Sequence, residues 1–261
     1  MSIHDSIESK GLSITKFMDF TSDSNPLGLS AKAKHAIRKA IRYLEFPPDY
    51  ELRRLKKFIA SKERIGDEQI AFGHDCSHLL CVLIDEVKPV NIVVPSSVSF
   101  QYEETAKKHN LNLITIPDTS HGAYDEACIN SLFESVTDKD IIILSNPNEI
   151  TGTIILPEIL MTIIRLADEK GIILFIDESY IDFTECTSPV EYIAGSKSSI
   201  AVRTFSKFYA MAGLPFGYAF GATEIIRKIS RHTGTPPVNT LAYTAALASL
   251  KDSGYRKRTL D

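Results

Sequence analysis

One lysine leaves an apolar strand between hydroxyl residues. Ile200 to Val202 run into Arg203-Thr204-Phe205-Ser206-Lys207, and a turn of small residues precedes a second apolar run through Phe220. A lysine at the exit of a buried strand is poorly solvated, so it needs an anion or a covalent partner. Thr204 and Ser206 flank it with donors suited to a phosphate. The arrangement suits a lysine that forms a Schiff base with a phosphorylated aldehyde. The competing reading is a surface lysine in a strand-to-loop turn.

Other strand exits carry matching chemistry. Ile172 to Ile176 end at Asp177-Glu178-Ser179-Tyr180. An aspartate there either caps the next turn or faces a cation, since a buried carboxylate stays ionised only when paired. A protonated pyridine nitrogen is such a cation, and Tyr180 could reach the hydroxyl of the same ring. Asp140 to Leu144 end in Asn146-Pro147-Asn148-Glu149-Ile150-Thr151-Gly152, whose residues also make an ordinary tight turn. Gly73-His74-Asp75-Cys76-Ser77 follows Ile70 to Phe72 and opens a helix. Amides near Cys76 and the Ser77 hydroxyl could hold a phosphate there, and a plain helix cap is the alternative. His74, His78 and Cys81 could gather on one helix side, but no second cluster completes a metal site and none is expected. The cysteines at 76, 81, 128 and 186 form no Cys-x-x-Cys pair.

These residues need a frame that gathers strand ends. Helical patterns cover about Ala31 to Tyr43, Tyr50 to Ser61, a segment opening near Cys76, Tyr102 to His109, Glu126 to Ser135 and Pro157 to Lys170. Between them fall strands at Val90 to Val94, Asn112 to Ile116, Asp140 to Leu144 and Ile172 to Ile176. The alternation predicts an α/β fold of three αβα layers around a mostly parallel sheet, with ligands outside the carboxyl ends of the strands. A chain of 261 residues, 44% hydrophobic and 24% charged, suffices for one large soluble domain. The net charge of -4 argues against nucleic acid as the partner. Arg53-Arg54 and Lys56-Lys57 alternate with Leu52, Leu55, Phe58 and Ile59 as a solvated helix face does. Neither a signal peptide nor a membrane span is expected, and the cytoplasm is the expected compartment.

In chain order, the helix-start phosphate site, Asn146-Pro147 with Thr151-Gly152, Asp177-x-x-Tyr180 and Ser206-Lys207 resemble the fold-type I pyridoxal-phosphate enzymes of the class I/II aminotransferase family. The resemblance runs from about Asp19 to Leu260. Its nearest subgroups are histidinol-phosphate aminotransferase and threonine-phosphate decarboxylase. Asp19-Phe20-Thr21-Ser22-Asp23-Ser24-Asn25-Pro26-Leu27-Gly28 is similar to the opening of the decarboxylases, as are Asp177 to Phe183 and Lys207 to Ala210. The resemblance implies pyridoxal 5'-phosphate, a small-molecule amino-acid substrate (phosphorylated or not), transamination or decarboxylation, and a homodimer. By resemblance Lys207 carries the cofactor and later moves protons, Asp177 pairs with the pyridinium and Tyr180 contacts the ring hydroxyl. Thr204 and Ser206, with Cys76 and Ser77, would bind the phosphate. The implied organisation is an arm and helix over residues 1–45, a cofactor-binding large domain over 46–240, and in 241–261 the start of a helix leading to the family's small C-terminal domain; either the sequence is a fragment or the protein lacks that domain.

Several positions depart from the family. Glu149 and Ile150 stand where asparagine and proline are usual, and Pro215 replaces an arginine that grips the phosphate. Losing that bidentate cation costs about 2–4 kcal/mol. Asp75 enters the phosphate segment, and Phe46 replaces a tyrosine that reaches the partner subunit. Val98 or Phe100 would stack on the ring. The departures support a second reading, a truncated and catalytically degenerate relative serving as a binding or partner subunit.

Overall fold

Residues 10–11, 23–46, 52–95, 100–116, 124–232 and 238–261 are described by a computed structural model. The strands are β1 (Ile70–Gly73), β2 (Asn91–Pro95), β3 (Asn112–Ile116), β4 (Ile141–Ser145), β5 (Ile173–Asp177), β6 (Ser199–Thr204) and β7 (Gly217–Gly221). They form one seven-stranded sheet in the order β1-β7-β6-β5-β4-β2-β3. Strands β2 to β6 pair in parallel, while β7 runs antiparallel to both β6 and β1.

The helices are α1 (Ala31–Ala40), α2 (Arg53–Glu63), α3 (Cys76–Val87), α4 (Phe100–Lys108), α5 (Glu126–Glu134), α6 (Pro157–Lys170), α7 (Val190–Gly195), α8 (Thr223–His232), α9 (Thr240–Leu250) and α10 (Ser253–Leu260). Successive strand residues point to opposite faces, so both faces need apolar cover. Ile142 and Leu144 of β4 join the core under α2, α5, α6, α7 and α9. Ile141 and Ile143 join the core under α3, α4 and α8. The result is the three-layer αβα architecture.

Local chemistry sets the helix ends. Pro157 opens α6, where a missing N–H costs nothing, and Gly171 closes it with φ 67° in the left-handed region. Ser30, Asp125, Asn239 and Asp252 cap α1, α5, α9 and α10 through their side chains, each worth about 1 kcal/mol. Residues 240–261 form two helices, broken at Lys251 and Asp252, and α9 packs along α1.

Two shifts from the sequence-based expectation bear on function. The strand expected to stop at Ile176 pairs on through Asp177, because the carboxylate has buried partners of its own. The helix expected at Tyr102 starts at Phe100, and Tyr102 is buried in its first turn. Asp19 to Ser22, Tyr50, Glu51 and Val98 lie outside the described residues. Among the described residues no helix is long and apolar enough to cross a membrane.

Candidate active site

Parallel pairing brings three strand exits into line. Ser145 is in register with Asp177, and Asp177 with Val202. Beyond the strands the zipper continues for one more step: Asn146 N donates to Asp177 O at 2.8 Å and Glu178 N to Val202 O at 2.8 Å. The polar residues after β4, β5 and β6 therefore share one edge of the sheet.

The Asp177 side chain is 4% exposed. Its Oδ1 accepts from Ser179 N at 2.8 Å and Ser179 Oγ at 2.5 Å, and its Oδ2 accepts from the Tyr102 hydroxyl. Cys76 Sγ lies 3.1 Å from Ser179 Oγ. Burial, then the Asp177 charge, pushes both the Tyr102 phenol and the Cys76 thiol well above their ordinary values. Both groups consequently keep their protons. Hydrogen bonds to a charged acceptor are worth about 1.5–3 kcal/mol, so this end of the site is stiff.

Lys207 sits on the turn after β6. Ser206 N donates to Thr204 Oγ1 at 3.1 Å, Ala210 N to Lys207 O at 3.1 Å and Met211 N to Phe205 O at 3.1 Å. Ala210 closes the turn at φ 52°, a left-handed conformation that costs a non-glycine residue about 1–2 kcal/mol. Lys207 Nζ and the Tyr180 hydroxyl both meet one oxygen of Asp23, and Nζ lies 5.7 Å from the Tyr180 ring centre. Burial raises the Asp23 carboxyl, but hydrogen bonds from Lys207 and Tyr180 outweigh it and hold it below its ordinary value. Tyr180 is pushed up by burial, by Asp23 and by the charge of Glu149.

The start of α3 is capped from within, since Asp75 Oδ1 accepts from His78 N at 2.7 Å. Ser77 Oγ donates to Gln101 Oε1 at 2.9 Å, and the Cys76 thiol turns toward Ser179. A Cβ on Gly217 would lie 2.9 Å from Arg203 O and 3.4 Å from Asp75 Cα, so β7 passes close to this helix start. Thr204 Oγ1 donates to Ser206 Oγ (3.1 Å), keeping the two hydroxyls together. Phe46, Phe100, Glu149 and Pro215 are exposed. The His74 and His78 rings meet edge-on at 5.0 Å, and among the described residues no three metal-ligating side chains gather.

Reading residues in isolation misses three partners. Tyr102 and Asp23 reach the site from distant parts of the chain, although Asp23 lies in the opening segment that carries the family resemblance. The third is Arg203, whose Nε meets Glu178 Oε2 at 2.8 Å while Nη1 meets Glu63 Oε1 at 2.9 Å. An arginine inside an apolar strand was its only signal. Its two carboxylates move in opposite directions. Burial wins at fully buried Glu178 and raises it, whereas at Glu63 burial is outweighed by the charges and hydrogen bonds of Arg203 and Lys62 together, which lower it. A cleft of about 760 Å³ between α6 and α7 holds none of Lys207, Asp177 or Tyr180. Chemistry, not volume, therefore locates the site.

This fold is that of an aminotransferase-type protein. A sequence model of the family described as aminotransferase class I and II matches residues 12–261, and the chain belongs to that family. The histidinol-phosphate aminotransferase of Desulfotalea psychrophila is 30% identical over 258 residues, covering 95% of this chain and 66% of that protein. The chain thus spans about two thirds of the length of that curated relative. The solved histidinol-phosphate aminotransferase of Clostridium acetobutylicum has a TM-score of 0.83 at 29% identity, covering 94% of this chain and 72% of that one. The enzyme of the same name from Sinorhizobium meliloti, in complex with pyridoxal-5'-phosphate, has a TM-score of 0.86 at 22% identity, covering 100% and 70%. That second likeness is one of fold.

Proposed function

We propose that this chain binds pyridoxal 5'-phosphate and acts as an aminotransferase of the histidinol-phosphate type. The observation that carries the reading is the pairing of Lys207, at the exit of β6, with Asp177, sealed at the end of neighbouring β5. The donor set fits the cofactor: an amine for the aldehyde, a fixed carboxylate for the ring nitrogen, and hydroxyls for the phosphate. When bound, the cofactor supplies an electron-withdrawing ring that stabilises negative charge at the substrate carbon. Lys207 would hold it through Nζ, an atom that can also hold and move a proton. Asp177 orients the ring nitrogen, itself oriented by Tyr102 and Ser179. Tyr180 would meet the ring hydroxyl, while Thr204, Ser206 and the backbone at Cys76 and Ser77 would hold the phosphate. A cytoplasmic homodimer belongs to the same reading, and analytical ultracentrifugation checks the dimer.

One observation favours a second reading, a non-catalytic relative. Asp75 places a carboxylate on the helix end that a phosphate would use. Mixing the purified chain with the cofactor separates the two. The first reading expects a visible absorbance band that borohydride fixes on Lys207 and that Lys207→Ala lacks. No band at millimolar cofactor sinks it. Where a band forms, an oxo product from the donor marks a transaminase and released carbon dioxide a decarboxylase.

A further inference from the structure

The segment before α1 is built into the lysine turn. Asn25, 4% exposed, donates its backbone N–H to Lys207 O at 3.0 Å and its side-chain amide to Phe208 O at 2.9 Å. The same amide reaches Thr259 Oγ1 of α10 at 2.9 Å, and Ser24 Oγ donates to Ser206 O at 3.2 Å. Tyr255 of α10 donates to Gly28 O at 2.8 Å. These contacts are independent of the Asp23 charge. They deliver the Asp23 carboxylate to Lys207 and Tyr180 whether or not the ion pair itself is strong, unlike a surface bridge between two freely moving side chains.

One oxygen of Asp23 accepts from both Lys207 Nζ and the Tyr180 hydroxyl. Those two atoms are the ones the proposed reaction uses. A lysine paired with a carboxylate as its ammonium has no lone pair for a carbonyl carbon, and a tyrosine donating to Asp23 is not donating elsewhere. The other charges acting on Tyr180 are those of Glu149 and Asp177, both acidic, so neither competes with Lys207 or Tyr180 as a donor to the Asp23 oxygen.

We propose that Asp23 is a positioning residue that clamps Lys207 and Tyr180 together and must release both before the lysine reacts with a carbonyl compound. Its role rests on the reading of Lys207 given above. The residue sets how readily the cofactor enters, and it holds the lysine aimed at the site until then.

Reductive methylation with formaldehyde and cyanoborohydride tests this on the cofactor-free chain. The lysine nitrogen attacks formaldehyde, water leaves, and the borohydride delivers hydride to the resulting C=N bond. Peptide mass spectrometry then reads the rate at Lys207 against the exposed Lys32 in the same sample. Asp23→Asn should raise the relative rate at Lys207 about threefold to tenfold, the range expected for losing a partly exposed, charge-assisted contact. Asp23→Glu should restore much of the slow rate, which a general loosening of the fold would not do. Equal rates in the wild-type and Asp23→Asn chains overturn the proposal. Uptake of pyridoxal phosphate, followed by absorbance, separates this from the functional reading. If methylation accelerates but neither chain takes up the cofactor, the clamp stands and the cofactor assignment falls.

Discussion

Asp177 and Lys207 stand at neighbouring strand exits, yet one is sealed and the other meets water. Around Asp177 the partners are Tyr102, Ser179 and Cys76, all buried, and each donor has an acceptor. At the other end the Lys207 and Asp23 side chains are 29% and 48% exposed. In a dry setting an unmade hydrogen bond costs the full desolvation of the stranded group, so partners there cannot be exchanged. In a wet setting water replaces a lost partner cheaply. The sealed end is therefore suited to holding one geometry, and the open end to changing partners during a reaction.

The largest expected effect lies in the dry region. Arg203→Ala strands Glu178, whose only cation among the described residues is Arg203, and should lower stability by about 3–5 kcal/mol in urea unfolding. A loss under a quarter of that would mean water reaches Glu178 and the dry end is not dry. Tyr102→Phe removes one donor from Asp177 and should cost about 1–3 kcal/mol, with the secondary structure unchanged by circular dichroism. Asp23→Ala, at the wet end, should change stability by no more than about 0.5 kcal/mol. If Asp23→Ala proved as costly as Tyr102→Phe, the two ends would not differ in kind.

Acid titration gives the smallest effect and sharpens the contrast. The folded chain holds the Asp23 carboxyl below its ordinary 3.8, so the unfolded chain takes up the proton first as pH falls. The contribution of Asp23 is therefore full above about pH 3.8 and is lost as pH drops through the lower folded value. Because the pair is half-exposed, that contribution should be a few tenths of a kcal/mol. Comparing unfolding midpoints of the wild-type and Asp23→Asn chains between neutral and acidic pH should show their difference shrinking in that window.

Much of the frame was legible in the sequence. Pro157 to Lys170 is helical as its periodicity and end residues predict, and the apolar run before Ser145 pairs at the centre of the sheet. These elements declare themselves locally, because proline, glycine and apolar runs act over a few residues. The site was legible in part. Lys207, Asp177, Tyr180, Thr204 and Ser206 were all recognisable as polar residues at strand exits. Their partners were not. Tyr102 looks like an ordinary aromatic in a helix, and Asp23 like one polar residue among several in Ser22-Asp23-Ser24.

By itself the sequence determined the α/β class, the family and the residues with chemistry to offer. Those follow from periodicity and from residue types in order, which need no three-dimensional context. Only the tertiary structure decided that Asp177 answers to Tyr102 and Lys207 to Asp23. Each pair joins segments far apart in the chain, brought together by the order of strands in the sheet and by the arm anchored through Asn25. The physical reason is that burial is a property of the packed layers. The same carboxylate is a fixed support when sealed beneath α4 and an exchangeable partner when left in water.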